Sequence, residues 1–133
     1  TMLKLTRKTE YALISLRYLQ LMKESGTVTS RKIADEYNIP FPVLSKVLQH
    51  LSRKGYIEPV KGAHGGYRLC LDLSEINLWN FLEVMEGPLG LVDCLIDMDC
   101  DQEVNCSIKA PLHRINHRVK TVFNNLSVSD VTI

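Results

Sequence analysis

No stretch of the chain approaches the roughly 18 to 20 uncharged residues that a membrane-spanning helix requires. The N-terminal segment alternates charges where a secretory signal would place an apolar run. These absences predict a soluble, cytoplasmic chain, with Met2 as its natural start and Thr1 an addition ahead of it. Internal repeats and low-complexity tracts are also missing, which excludes a solenoid. Neither a nucleophile paired with a base nor a glycine-rich phosphate loop stands out, so the sequence points away from an enzyme.

What is present is a chain of 133 residues, 45% hydrophobic, enough for one compact core and short for two. Its net charge of +1 conceals a division. Residues 1–71 carry 12 Lys and Arg against 5 Asp and Glu, whereas residues 72–133 carry 4 against 10. A basic front half is the electrostatic footprint of a phosphate binder, and an acidic rear half is repelled by DNA and faces away from it. Two solvated surfaces that merely differ in charge are the plainer alternative.

Apolar spacing predicts a first helix over residues 9–24, with Tyr11, Ile14, Tyr18, Leu21 and Met22 inward. Residues 30–37 read as a short helix with a serine cap and Ile33, Ala34 and Tyr37 inward, broken at Asn38-Ile39-Pro40. The next helix starts near Phe41 or Pro42 and ends at Gly55, burying Leu44, Val47, Leu48 and Leu51. Two short helices joined by a tight turn make a helix-turn-helix. Residues 56–61 and 67–71 then read as strands joined by Gly62-Ala63-His64-Gly65-Gly66, a hairpin wing. A helix over residues 77–86 precedes an acidic segment without periodicity. From Ser107 toward Leu126 a last helix places Leu112, Ile115, Val119, Val122 and Leu126 on a heptad seam, the pattern of a helix that pairs with a second copy. The predicted fold is mainly α with a small β-hairpin, a winged helix-turn-helix over 1–88, a cysteine-bearing loop over 89–106, and a dimerisation helix and tail over 107–133.

A helix fits the major groove of B-DNA, where exposed side chains reach base edges and flanking cations reach phosphates. Ser45, Lys46 and Gln49 are the candidate readers on the second helix of the pair. On the wing, Lys61, His64 and Arg68 are placed for the backbone or an adjacent minor groove. Arg68 follows Tyr67 in a strand, which leaves open a backward turn to a core carboxylate. Arg7 and Lys8 are further phosphate candidates.

Four cysteines in a chain without an export signal argue for metal or redox chemistry over a disulfide scaffold. Cys94, Cys100 and Cys106 follow a C-x5-C-x5-C pattern within one acidic segment. Thiolates are soft ligands, and this spacing wraps a bulky iron-sulfur core more readily than the close C-x2-C knuckle that suits zinc. A zinc site, a thiol redox sensor and a basic protein-interaction module remain alternatives. Cys70 alternates with Tyr67, Leu69 and Leu71 and reads as packing.

Leu5-Thr6, Glu10-Tyr11-Ala12-Leu13, Ile33-Ala34, Gly65-Gly66-Tyr67-Arg68-Leu69, Glu83-Val84-Met85-Glu86-Gly87-Pro88 and the cysteine triplet together resemble the Rrf2 family of bacterial regulators. The resemblance implies a homodimer with crossed C-terminal helices, a head for double-stranded operator DNA, and an iron-sulfur cluster on Cys94, Cys100 and Cys106. IscR-like members place a histidine three residues after the last cysteine, where this chain has Lys109, which cannot ligate while protonated. In NsrR-like members a carboxylate near the start of the first helix, from the other subunit, completes the site, and Glu10 stands at that position. His113 and His117 are the other candidates. By similarity a carboxylate ligand favours 4Fe-4S over 2Fe-2S. The implied function is a cluster-dependent repressor responding to iron supply, oxygen or nitric oxide.

Overall fold

A computed structural model describes residues 5–89 and 109–132. Helix α1 (Arg7–Leu21) begins where the Thr6 hydroxyl accepts the Thr9 N–H, two residues ahead of the expected start. It ends in a 3-10 turn (Lys23–Ser25) closed by Gly26 at φ 98°. Its inward face also differs from the expected one. Ala12, Ser15, Leu16, Tyr18 and Leu19 are buried, Tyr11 and Ile14 are only partly covered, and Leu21 is 63% exposed. The small residues Ala12 and Ser15 carry little hydrophobic signal but let neighbouring elements approach closely. Ser15 satisfies its buried hydroxyl by donating to the Tyr11 carbonyl at 2.8 Å.

Helix α2 (Ser30–Tyr37) is capped by Thr29, whose hydroxyl accepts the Lys32 N–H at 3.1 Å; the cap is one residue earlier than expected. Asn38 stops the helix in the left-handed region at φ 54°, where a short polar side chain is tolerated. Helix α3 (Phe41–Arg53) follows after the three residues Asn38, Ile39 and Pro40, with Pro42 in its first turn, where the missing N–H is no loss. Leu44, Val47, Leu48 and Leu51 are buried as the spacing predicts. Tyr37 is not inward: it is 40% exposed and meets Tyr18 edge-on, ring centres 5.5 Å apart.

Strands β1 (Ile57–Val60) and β2 (Gly66–Leu69) pair antiparallel in the register Ile57 to Leu69 and Val60 to Gly66. Tyr67 also exchanges both backbone hydrogen bonds with Val28, at 3.0 and 2.7 Å. The wing is thereby tied to the segment that leads into α2. Gly66 sits at this junction with φ 147°, and a Cβ there would stand 2.7 Å from the Val28 backbone.

Asp72 caps a second 3-10 turn (Leu73–Glu75), and Asn77 caps α4 (Leu78–Glu86), which ends at Gly87. Helix α5 (Lys109–Asn124) stops two residues before the expected end, and a short α6 (Val128–Val131) follows. The chain then returns to the head. Leu78 N–H donates to Leu126 O at 3.0 Å, Val128 N–H donates to Ile76 O at 2.9 Å, and Val128 is fully buried. Phe123 packs on Trp79, ring centres 6.0 Å apart. On an adjoining flank of α5, Ile115 and Val122 are 50% and 57% exposed. A single buried cluster from Ala12 to Val128 joins these elements. Among the described residues no helix is long and apolar enough to cross a membrane.

Candidate nucleic-acid interface and sensor ligands

With 3.6 residues per turn, the core set of α3 places Pro42, Lys46, Gln49 and Arg53 along the opposite ridge, and all four are exposed. Ser45 lies on the flank and is half-buried. Of the three expected readers, Lys46 and Gln49 therefore crown the helix and Ser45 edges it. Arg53 extends the ridge and was not among the expected candidates, although the same spacing marks it. The helix is held from behind by its core leucines and by His50, whose Nε2 lies 3.1 Å from the Val84 carbonyl of α4. Because a carbonyl only accepts, that nitrogen carries the proton.

The wing turn is built by glycines. Gly62 has φ 109°, Gly65 N–H donates to Gly62 O at 3.0 Å, and a Cβ on Gly65 would come within 2.6 Å of Val60 O. The Thr27 hydroxyl donates to His64 O at 2.6 Å, fixing the turn to the body. Beneath it lies a hollow of about 450 Å³ lined by Ser25, Gly26, Thr27, His64 and Gly65. Lys61 and His64 are exposed on the turn. Arg68 does not reach back to the core: it is exposed on β2 and its Nε pairs with Glu58, its cross-strand neighbour.

In the first turn of α1, Arg7 pairs with Glu10 at 3.1 Å, with side chains 80% and 44% exposed. Lys8 is exposed beside them. One turn of α4 meets the same place. Glu86 accepts from the Thr6 N–H at 3.3 Å, the Thr6 hydroxyl at 2.7 Å and the Thr9 hydroxyl. Partial burial works to raise the Glu86 pKa, but the hydrogen bonds from Thr9 and Thr6 outweigh it and hold the carboxyl below its ordinary value.

Cys94, Cys100 and Cys106 lie outside the described residues. His113 and His117 stand exposed, one turn apart on α5. Among the described residues no three His, Cys, Asp or Glu side chains converge as a metal site. Cys70 is exposed, contrary to the packing role expected from alternation. The two-residue period of the strand puts Cys70 on the same face as exposed Arg68, opposite half-buried Tyr67 and Leu69, so continued alternation turns it outward. Partial desolvation pushes its thiol up, Glu58 adds to the rise and Arg68 opposes it.

The sequence pattern of the Rrf2 family, described as an iron-dependent transcriptional regulator, matches residues 5–132. The chain is 32% identical over 133 residues to the HTH-type transcriptional regulator NsrR of Shouchella clausii, covering 98% of this chain and 89% of that one. It is 34% identical over 113 residues to NsrR of Halalkalibacterium halodurans, covering 85% and 74%. Among solved structures, CymR, the global cysteine regulator of B. subtilis, superposes with a TM-score of 0.75 at 25% identity, over 98% of this chain and 97% of that one. IscR of T. potens shares the fold with a TM-score of 0.71 at 22% identity, over 97% and 85%. The helix-turn-helix, the pinned wing and these matches lead to one conclusion: the chain belongs to the Rrf2 family of DNA-binding transcriptional regulators, which are not enzymes.

Proposed function

We propose that this chain is an iron-sulfur cluster-dependent repressor that binds operator DNA as a homodimer. The observation that supports the DNA half most strongly is the exposed ridge of α3 carrying Lys46 and Gln49, held rigidly beside a wing that carries Lys61 and His64. In this reading Lys46 and Gln49 meet base edges in the major groove, with Ser45 at their flank. Lys61, His64 and Arg68 meet the backbone or the adjacent minor groove, and Arg7 and Lys8 meet phosphates. Residues 1–88 form the reading head, 89–106 the sensor loop, and 107–133 the segment through which two copies pair.

The donor set suits a cluster. Cys94, Cys100 and Cys106 supply three thiolates, and Glu10 of the partner subunit supplies the fourth donor. Glu10 is free to serve, because its carboxylate is nearly half exposed and its ion pair is with an exposed arginine, an attachment worth at most about 1 kcal/mol. Recruiting Glu10 releases Arg7, which couples the ligand to a nearby cation. When bound, a cluster of this kind, 4Fe-4S favoured by similarity, supplies a centre that responds to iron supply, oxygen or nitric oxide. A second reading, regulation through cysteine thiols without a cluster, is favoured by the likeness to CymR. Iron and sulfide content after anaerobic reconstitution separates the two.

Selection from a random duplex library tests the reading of DNA. A strong preference for a selected site over random duplex at fixed salt is expected. Lys46→Ala and Gln49→Ala should each cost about 1–3 kcal/mol and relax specificity at one base position. Lys61→Ala should weaken all duplexes alike. Equal affinity for selected and random duplex would overturn the proposal in favour of a generic basic surface.

A further inference from the structure

Arg31 stands in the first turn of α2, and its guanidinium carbon lies 3.9 Å from the ring centre of Phe41, the first residue of α3. The contact joins the two helices of the reading unit at the end where α3 presents its first turn, with Pro42 and Val43 exposed beside it. A guanidinium stacked on an aromatic face keeps its in-plane N–H donors free for an acceptor, and the planar fork matches phosphate oxygens. Arg31 is exposed. The ion pairs among the described residues are Arg7 with Glu10 and Arg68 with Glu58, so Arg31 has no carboxylate within 4.0 Å there, Asp35 one turn along included.

Stability of α2 does not explain the placement. A cation in the first turn opposes the helix dipole, and α2 has no acidic residue in that turn to offset it. Stacking on Phe41 fixes a cation where the helix alone would disfavour one, and reduces the side-chain freedom that a surface arginine otherwise loses on binding.

We propose that Arg31 grips a phosphate of the DNA backbone flanking the groove that α3 enters, and that Phe41 is its positioning residue. This rests on the reading of duplex DNA by α3. It adds a sequence-independent contact to the base readers on the ridge, consistent with the first helix of such a unit crossing the backbone.

The test uses the full chain and a duplex selected by the wild-type protein, with affinity followed between about 50 and 200 mM salt. Arg31→Ala should weaken the selected and a random duplex by the same factor, about threefold to tenfold. It should also reduce the slope of log affinity against log salt by about one. Thermal unfolding should change little, because the lost stacking on Phe41 is offset by removing a cation from the first turn of α2. Phe41→Leu keeps the charge and the apolar contact but removes the ring. It should give a smaller uniform loss with the salt slope retained, and the double variant should bind no more weakly than Arg31→Ala alone.

An unchanged slope and affinity in Arg31→Ala, or a loss confined to one base sequence, overturns the phosphate contact. Losses from the two variants that simply add overturn the positioning role of Phe41. If the wild-type chain shows no salt-dependent duplex binding, the reading by α3 itself has failed and takes this inference with it.

Discussion

Glu86, the last residue of α4, accepts a hydrogen bond from the hydroxyl of Thr9, a fully buried residue 77 positions earlier in the first turn of α1. With the two bonds from Thr6, this carboxylate closes the N-terminal end of α1 against the C-terminal end of α4. It also lies near the positive end of the α1 dipole, where negative charge is favoured.

Glu86→Gln should lower stability by about 1 kcal/mol, the scale of a lost cap or charge-assisted hydrogen bond. Thr9→Val, which removes the donor and keeps the shape, should cost a similar amount. The two should be strongly non-additive, as expected of partners. The pH dependence has a definite sign. The folded pKa of Glu86 is depressed, so its contribution is present above the ordinary glutamate range. It falls away as pH drops through that range toward the folded pKa. Denaturant unfolding of wild type and Glu86→Gln from neutral to acid pH measures this. The difference between them should shrink on acidification, and a constant difference would remove Glu86 from the account.

Gly66→Ala should be severe. The backbone has φ 147°, and a Cβ would meet Val28 carbon and oxygen at 2.7 Å, so β2 must separate from Val28 or twist. A loss of about 1–3 kcal/mol is expected for such strain, with the wing displaced. Hydrogen exchange at the Val28 and Tyr67 amides, which bond each other's carbonyls, should accelerate in the variant. Unchanged protection there would contradict the pinned wing.

The outer seam of α5 offers a direct check on pairing between copies. Ile115 and Val122, 50% and 57% exposed, are seven residues apart on one stripe. Ile115→Glu and Val122→Glu should leave the head folded and shift sedimentation from dimer toward monomer. Weakened operator binding should accompany the shift, because two half-sites are then no longer engaged together. A wild-type chain that sediments as a monomer at micromolar concentration would contradict pairing through this helix.

Much of this architecture is legible in the sequence where two signals coincide. The ends of α2 and α3 follow from apolar spacing together with Asn38, Pro42 and Gly55, each a residue with a backbone preference. The inward face of α1 is not legible, because Ala12 and Ser15 pack through smallness, which a hydrophobic pattern does not weight. The Glu86 clamp and the stacking of Arg31 on Phe41 depend on tertiary proximity and leave no local mark. Among the site candidates, the exposure of Lys46, Gln49, Lys61 and His64 follows from helix and turn geometry. The Arg68 to Glu58 pair requires the strand register, which places them opposite one another. The cysteine triplet is legible as spacing alone.

In the proposed function, a cluster held by Cys94, Cys100, Cys106 and the partner's Glu10 governs DNA binding. The most direct measurement takes anaerobically reconstituted wild type and Glu10→Ala through native mass spectrometry, visible absorption and titration with the selected duplex. The wild-type dimer should be coloured and carry iron and sulfide, and its affinity for the duplex should change at least tenfold when the cluster is removed. The Glu10→Ala variant should fold and lose the cluster more readily. A colourless wild type without iron or sulfide, binding the duplex equally before and after reconstitution, would contradict the proposed function.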